Sequence, residues 1–174
     1  MRDVTTGVLN LADARAKLDR ARELHAEVDL ALAEWQSTGG VEAQVRPHHE
    51  LAYYTGYAKV NSESPINIPL RAGEVLHALR TALDYTAFQI HLVGGGTPDG
   101  KDARGVAFPI VTDASKWESS VSSNVRNAWP AAVAELKAVQ QFEPPQQNPS
   151  SPLPPIDPLL SRLATLGGTD KHRN

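Results

Sequence analysis

The sequence predicts a mainly α fold, a helical bundle carrying one small β-hairpin, and three patterns lead to it. From Leu11 to Trp35, the positions Leu11, Ala14, Leu18, Ala21, His25, Val28, Leu32 and Trp35 alternate steps of three and four, the spacing of a packed helical seam. From Val41 onward the period falls to two, with Val41, Ala43 and Val45 set against polar neighbours and Leu51, Tyr53, Thr55 and Tyr57 following a break at Pro47. From Glu74 to His91 the chain returns to helical spacing. At about 100° per residue, Glu74, His77, Arg80, Thr81, Asp84 and His91 share a sector of about 120°, while Val75, Leu79, Ala82, Leu83 and Ile90 cover the other side.

Taken in order, the first helix is expected near residues 8–37, capped by Thr5 or Thr6 and stopped by Gly39-Gly40, with Asp13, Arg15, Lys17, Asp19, Arg20 and Glu23 on its solvated side. His25 falls in the seam, where a hydrogen-bonded core residue is the expected role. The hairpin spans residues 41–60, and Pro47-His48-His49-Glu50 reads as its turn; adjacent turn residues point in divergent directions, which argues against a metal there. Asn61 to Pro65 connects, Ile66 to Leu70 is extended, and the central helix runs from about Ala72 to Val93. Gly94-Gly95-Gly96 ends it and opens a loop, and without a following Gly-Lys-Ser/Thr these glycines make no phosphate-binding motif. Val106 to Val111 is a short strand or extended clip, with Pro109 favouring an edge. A helical stretch begins near Asp113, and another opens at Pro130 and runs to about Phe142 with Ala131, Val133, Leu136 and Val139 inward. Glu143 to Pro155 is proline-rich loop, and a last helix near 157–166 buries Leu159, Leu160, Leu163 and Leu166 before Gly167-Gly168.

At 174 residues the chain suits one core, so a single domain over residues 1–174 is expected. Zero cysteines exclude disulfides, thiolate catalysis and cysteine-ligated metal centres. A formal charge of −3 gives no general attraction to a polyanion, so any nucleic-acid contact needs a local basic patch. No run of residues is apolar enough for a membrane span, and Met1 to Thr6 lacks the hydrophobic centre of a secretory signal; a cytoplasmic protein with no membrane partner is the expectation.

The polar stripe of the central helix is the candidate site. His77 can move a proton near neutral pH, Arg80 or Arg71 can stabilise charge on a phosphate, and Glu74 or Asp84 can fix the imidazole tautomer. Lys171, His172 and Arg173 add a second base and further anion contacts if the last helix brings them to the stripe. These parts suit metal-independent phosphodiester cleavage, with RNA or a nucleotide as ligand and no cofactor. Equally, Glu74 with His77 at i,i+3 and Arg80 with Asp84 at i,i+4 are ordinary helix-surface pairs, each contributing about 0.2–0.5 kcal/mol, and residues 170–173 read as a charged terminus. Glu74-x-x-His77 also has the spacing used by di-iron carboxylate bundles, but no second Glu-x-x-His exists to complete a dinuclear site. A mononuclear site from His25, His77 and His172 has no support in spacing. No metal is expected.

Gly-Glu-x-Leu-His-x-Leu-Arg-x-Ala-Leu-Asp-Tyr at residues 73–85, Phe-Pro-Ile at 108–110, Gln-Gln-Phe-Glu-Pro at 140–144 and Asp-Lys-His-Arg at 170–173 occur in that order. Together they resemble a family of functionally uncharacterised, mostly helical bacterial and phage proteins, over about residues 40–174. In that family the chain usually continues beyond Asp-Lys-His-Arg, which implies that the present chain is a shortened form. A more distant similarity is to the HEPN superfamily, helical proteins that are often dimeric ribonucleases of toxin and phage-defence systems. Its signature places an Arg shortly before a His at a helix start, and Arg71 and His77 meet the spacing with five residues between them, although Ala72 replaces the polar residue often found after the Arg. The resemblance implies an RNA-binding protein, a metal-independent ribonuclease and a homodimer. The alternative is a non-enzymatic phage or host-defence interaction module.

Overall fold

The computed structural model describes residues 8–48, 53–140 and Leu163. Five α-helices and one two-stranded antiparallel hairpin form among them: α1 (Ala12–Ser37), β1 (Val41–His48), β2 (Tyr53–Val60), α2 (Asn67–Val93), α3 (Lys101–Arg104), a 3-10 turn (Ala114–Lys116), α4 (Trp117–Asn124) and α5 (Pro130–Ala138). The mainly α class with a small hairpin is therefore correct. The expected cap at Thr5 or Thr6, the turn residues His49 and Glu50, the proline-rich loop and residues 170–173 lie outside the described residues, as does the last helix apart from Leu163, which is helical.

Chain contacts divide into two compact units, one made of Met1–Asp19 with Leu76–Asn174 and the other of Arg20–Val75. The first holds the main core. Ala87 and Ile90 of α2, Phe108 and Val111 of the following extended segment, Trp117 and Val121 of α4, Val125, and Ala132 and Leu136 of α5 pack into one buried cluster. Pro130 opens α5 at its first helical position, where a missing N–H costs nothing, after an extended Trp129. Of the residues expected inward on α5, Leu136 is buried and Val133 packs half-buried against the core, whereas Ala131 and Val139 are exposed and Ala132 is buried instead. Residues 106–111 form no strand. Asp113 accepts from Ser115 N–H (2.9 Å) and Ser115 Oγ (2.7 Å), starting the 3-10 turn that runs into α4. Residues 101–104, expected as loop, close one helical turn in α3.

Two corrections concern helix starts. Asn10, whose carboxamide accepts from Ala12 N–H (3.1 Å), leads into α1, with the Leu11 carbonyl taking the first helical bond from Arg15. Residues 67–70 are helical rather than extended, because a proline in the first turn, here Pro69, lacks only an N–H that has no helical partner. The α2 end follows expectation. Gly95 N–H bonds the Leu92 carbonyl (3.0 Å) and Gly96 N–H the His91 carbonyl (2.9 Å), a Schellman closure that sets Gly95 at a φ of 91°.

Within the second unit, the hairpin register pairs Val41 with Val60, Ala43 with Ala58, Val45 with Gly56 and Pro47 with Tyr54. Directly opposed residues share a face, so these eight compose one face without a polar side chain except for the Tyr54 hydroxyl. The other face carries Glu42, Lys59, Gln44, Tyr57, Arg46 and Thr55. There the Tyr57 hydroxyl donates to Gln44 (2.7 Å), and the Arg46 guanidinium lies 5.5 Å from the Tyr57 ring centre, over its face. The hairpin base is fixed by Asn61 N–H to the Gly40 carbonyl (2.9 Å) and by the Trp35 indole donating to Ser62 (3.0 Å). Buried apolar side chains in this unit are few: among the described residues they are Ala21, Leu24 and Ile68.

His25 is not a core residue. It is exposed and lies 3.1 Å from Asp29. Ala14 and Ala21 are buried as the seam requires, but Leu24 is buried and Leu18 is exposed. The true seam takes its second position one residue earlier, where leucine satisfies burial without a polar ring.

Candidate functional site

The polar stripe lies on α2, but its members have separate fates. Glu74 and His77 are exposed, and no hydrogen bond or ion pair reaches the His77 imidazole among the described residues; its backbone carbonyl accepts from Thr81 Oγ1 (2.8 Å). Arg71 is held in an ion pair with Glu27. The unit boundary falls after Val75, so Glu74 and Arg71 belong to one unit and His77, Arg80 and Asp84 to the other.

Arg80 and Asp84 are brought together with a third group that side-chain spacing does not reveal. Arg80 Nε donates to Asp84 Oδ2 (3.2 Å), as the i,i+4 geometry allows. The Asp84 Oδ1 oxygen also accepts from Phe108 N–H (2.9 Å), while Arg80 Nη2 donates to the Phe108 carbonyl (3.1 Å). Both polar groups of one buried residue's backbone are thus satisfied by one helix-surface pair. Three residues later, Val111 N–H donates to Gln140 Oε1 (3.0 Å), and the same carboxamide donates through Nε2 back to the Leu136 carbonyl of α5 (3.0 Å). A segment that joins no sheet still needs partners for its N–H groups: Asp84 of α2 accepts from Phe108, Gln140, two residues past the end of α5, accepts from Val111, and the Asn124 carbonyl accepts from Ala107 (3.0 Å). Three of the sequence signatures, around residues 73–85, 108–110 and 140, meet in this way. Half-buried, with side chains 32% and 36% exposed, Arg80 and Asp84 are already engaged by the backbone they grip.

His91 is a further correction. Helical angle puts it with the polar stripe, yet it is fully buried. Its Nδ1 lies 2.9 Å from the Arg126 carbonyl oxygen and its Nε2 3.2 Å from the Thr97 carbonyl oxygen, while its ring stacks on Phe88 with centroids 6.1 Å apart. Near the end of α2 the polar sector meets the 94–97 and 126–127 turns instead of water, and their carbonyls offer the ring acceptors. A Cβ on Gly96 would overlap this ring, which explains why the turn carries glycine there.

His172, Lys171 and Arg173 lie outside the described residues. Among the described residues no group of three or more His, Cys, Asp or Glu side chains could hold a metal ion. No helix there is long and apolar enough to cross a membrane. Gln140 and the Phe108 peptide were missed as members of the polar network; the order of the signatures along the chain was the available signal for them. Comparison of the chain with protein family models, with curated proteins and with solved structures finds no match.

Proposed function

We infer that this chain is a non-enzymatic interaction module whose hairpin is the contacting element. The observation that carries this reading is the apolar hairpin face, exposed apart from the half-buried Val41, with Val45 66%, Tyr54 74% and Val60 63% exposed. Contiguous apolar surface of that kind on a soluble chain marks a contact site. The clasp on Phe108 adds support, because Arg80 and Asp84 serve the fold and a phosphate ligand would compete with the Phe108 backbone for Arg80.

A second reading keeps the phosphate ligand: an RNA-binding protein, cleaving RNA without a metal, in which His77 moves the proton. Exposure of the His77 imidazole one helical turn before Arg80 favours it. Labelled RNA incubated in EDTA with the wild type and with His77→Ala separates the two readings. The interaction module predicts intact RNA in both reactions. Cleavage by the wild type that disappears in a folded His77→Ala protein establishes the ribonuclease and overturns the first reading.

A further inference from the structure

We propose that the ring proton of His91 selects between two states of a single peptide, the one joining Arg126 to Asn127, which makes the end of α2 a proton-operated switch. It stands apart from the reading of the hairpin. The imidazole is fully buried, with Nδ1 2.9 Å from the Arg126 carbonyl oxygen and Nε2 3.2 Å from the Thr97 carbonyl oxygen. A carbonyl oxygen only accepts, so both contacts are hydrogen bonds when the ring carries two protons. With one proton, a nitrogen lone pair faces an oxygen lone pair where the ring is closed off from water. One of the two carbonyls must then give way.

The Arg126 carbonyl is the one able to move. Ala128 N–H bonds the Val125 carbonyl (3.2 Å), closing a turn whose central peptide carries the Arg126 oxygen. Asn127 has a φ of 67° and Arg126 has none that is positive, so the turn is type II. Types II and I keep the same closing hydrogen bond and differ by rotation of the central peptide, which exchanges the directions of its C=O and N–H. Rotation to type I therefore takes the Arg126 oxygen away from Nδ1 and turns the Asn127 N–H toward it. It also returns Asn127 to negative φ, leaving a left-handed conformation that asparagine tolerates at some cost. A donor replaces an acceptor just where Nδ1 has changed from donor to acceptor, and Asn127 Nδ2, 3.5 Å from Nδ1, is a second donor on that side. Thr97 has no such alternative: the next residue is Pro98, whose nitrogen bears no hydrogen, so rotating that peptide supplies no donor to Nε2. Nearby charges leave the choice to the proton. The 94–97 turn holds three glycines and a threonine, Phe88 stacks on the ring, the Arg126 guanidinium is held by Asp102 (3.1 Å), and among the described residues no carboxylate pairs with His91.

The test is a pH titration of the isotopically labelled full chain by NMR, over the range in which it stays folded. As pH rises, the His91 ring is expected to pass from protons on both nitrogens to the Nε2–H form. In step, the strong contact between the Arg126 Hα and the Asn127 amide proton, which marks type II, is expected to give way to one between the two amide protons, which marks type I. Asn127→Gly removes the cost of positive φ and so favours the state that accepts from Nδ1–H; the midpoint of both changes should move to higher pH. Asn127→Ala, less tolerant of that conformation, should move it to lower pH. A ring that changes protonation while the turn keeps one set of contacts overturns the proposal, as does a neutral ring in the Nδ1–H form. So does a ring that keeps one protonation state throughout, or a midpoint that neither variant moves.

Discussion

Asp84 shows how a residue expected in a catalytic role acts in the fold. Its carboxylate is the acceptor for the N–H of Phe108, a residue only 5% exposed, so Asp84→Ala leaves a buried donor without its partner. That change is expected to cost about 1–3 kcal/mol in urea unfolding, and Asp84→Asn less, because the carboxamide oxygen can still accept from Phe108 N–H while the carboxylate charge and the second acceptor that face Arg80 are lost. Arg80→Ala combined with Asp84→Ala should cost less than the sum of the single variants, the mark of coupled groups; strict additivity would show that they act apart. The i,i+4 pair was legible from the spacing, whereas its third member was not, since a peptide N–H leaves no trace in side-chain identity. Both misjudged histidines have a similar origin. Imidazole is polar enough for water and small enough for a core, so its place depends on the groups it meets: Asp29 and solvent for His25, two turn carbonyls for His91. His91→Ala, which removes a fully buried ring and its two polar contacts, is expected to cost roughly 2–4 kcal/mol, and a stability within about 0.5 kcal/mol of wild type would remove its role as a pin.

Elements were legible where periodicity is long and uninterrupted. The expected end of the first helix, the bounds of the hairpin and the end of α2 correspond to Ser37, Val41–Val60 and Val93, because alternation and paired glycines each act locally, whereas the first helix starts at Ala12, four residues later than expected. Residues 67–70 and 106–111 were harder, since proline in a first helical turn looks like a break and a segment satisfied by distant side chains looks like a strand. The four-residue α3 lies below the length at which any periodicity can be recognised. Asp113 connects the extended segment to α4, and its hydrogen bonds from the Ser115 side chain and then from the Ser115 backbone N–H hold its carboxyl below the usual carboxylate range. A lowered value in the folded chain means that the cap's contribution is fully present above the unfolded value and is lost as pH falls through the folded one. Thermal unfolding of Asp113→Ala should therefore occur at lower temperature than wild type near neutral pH, with the difference shrinking in acid. A difference that persists unchanged below the carboxylate range would place its cause elsewhere. Gln140→Ala tests the other end of the same segment, with an expected cost of about 1–3 kcal/mol from the stranded Val111 N–H.

At the scale of the whole molecule, the two units differ in what holds them. Residues 76–140 contribute the cluster around Trp117, Phe108 and Leu136, whereas the described residues of Arg20–Val75 bury few apolar side chains and leave Leu30, Val45, Tyr54, Val60, Ile66 and Leu70 exposed. Local opening free energy follows buried apolar contact, so the hairpin amides should exchange with solvent faster than those of Ile90, Val121 and Leu136. Amides in the core of the other unit report that unit's own opening. Hydrogen exchange on the full chain reads both regions in one experiment, and early exchange of the hairpin beside a protected Trp117 core is the expected pattern. Hairpin amides as slow as those of Ile90, Val121 and Leu136 would show that the apolar face of the hairpin is covered.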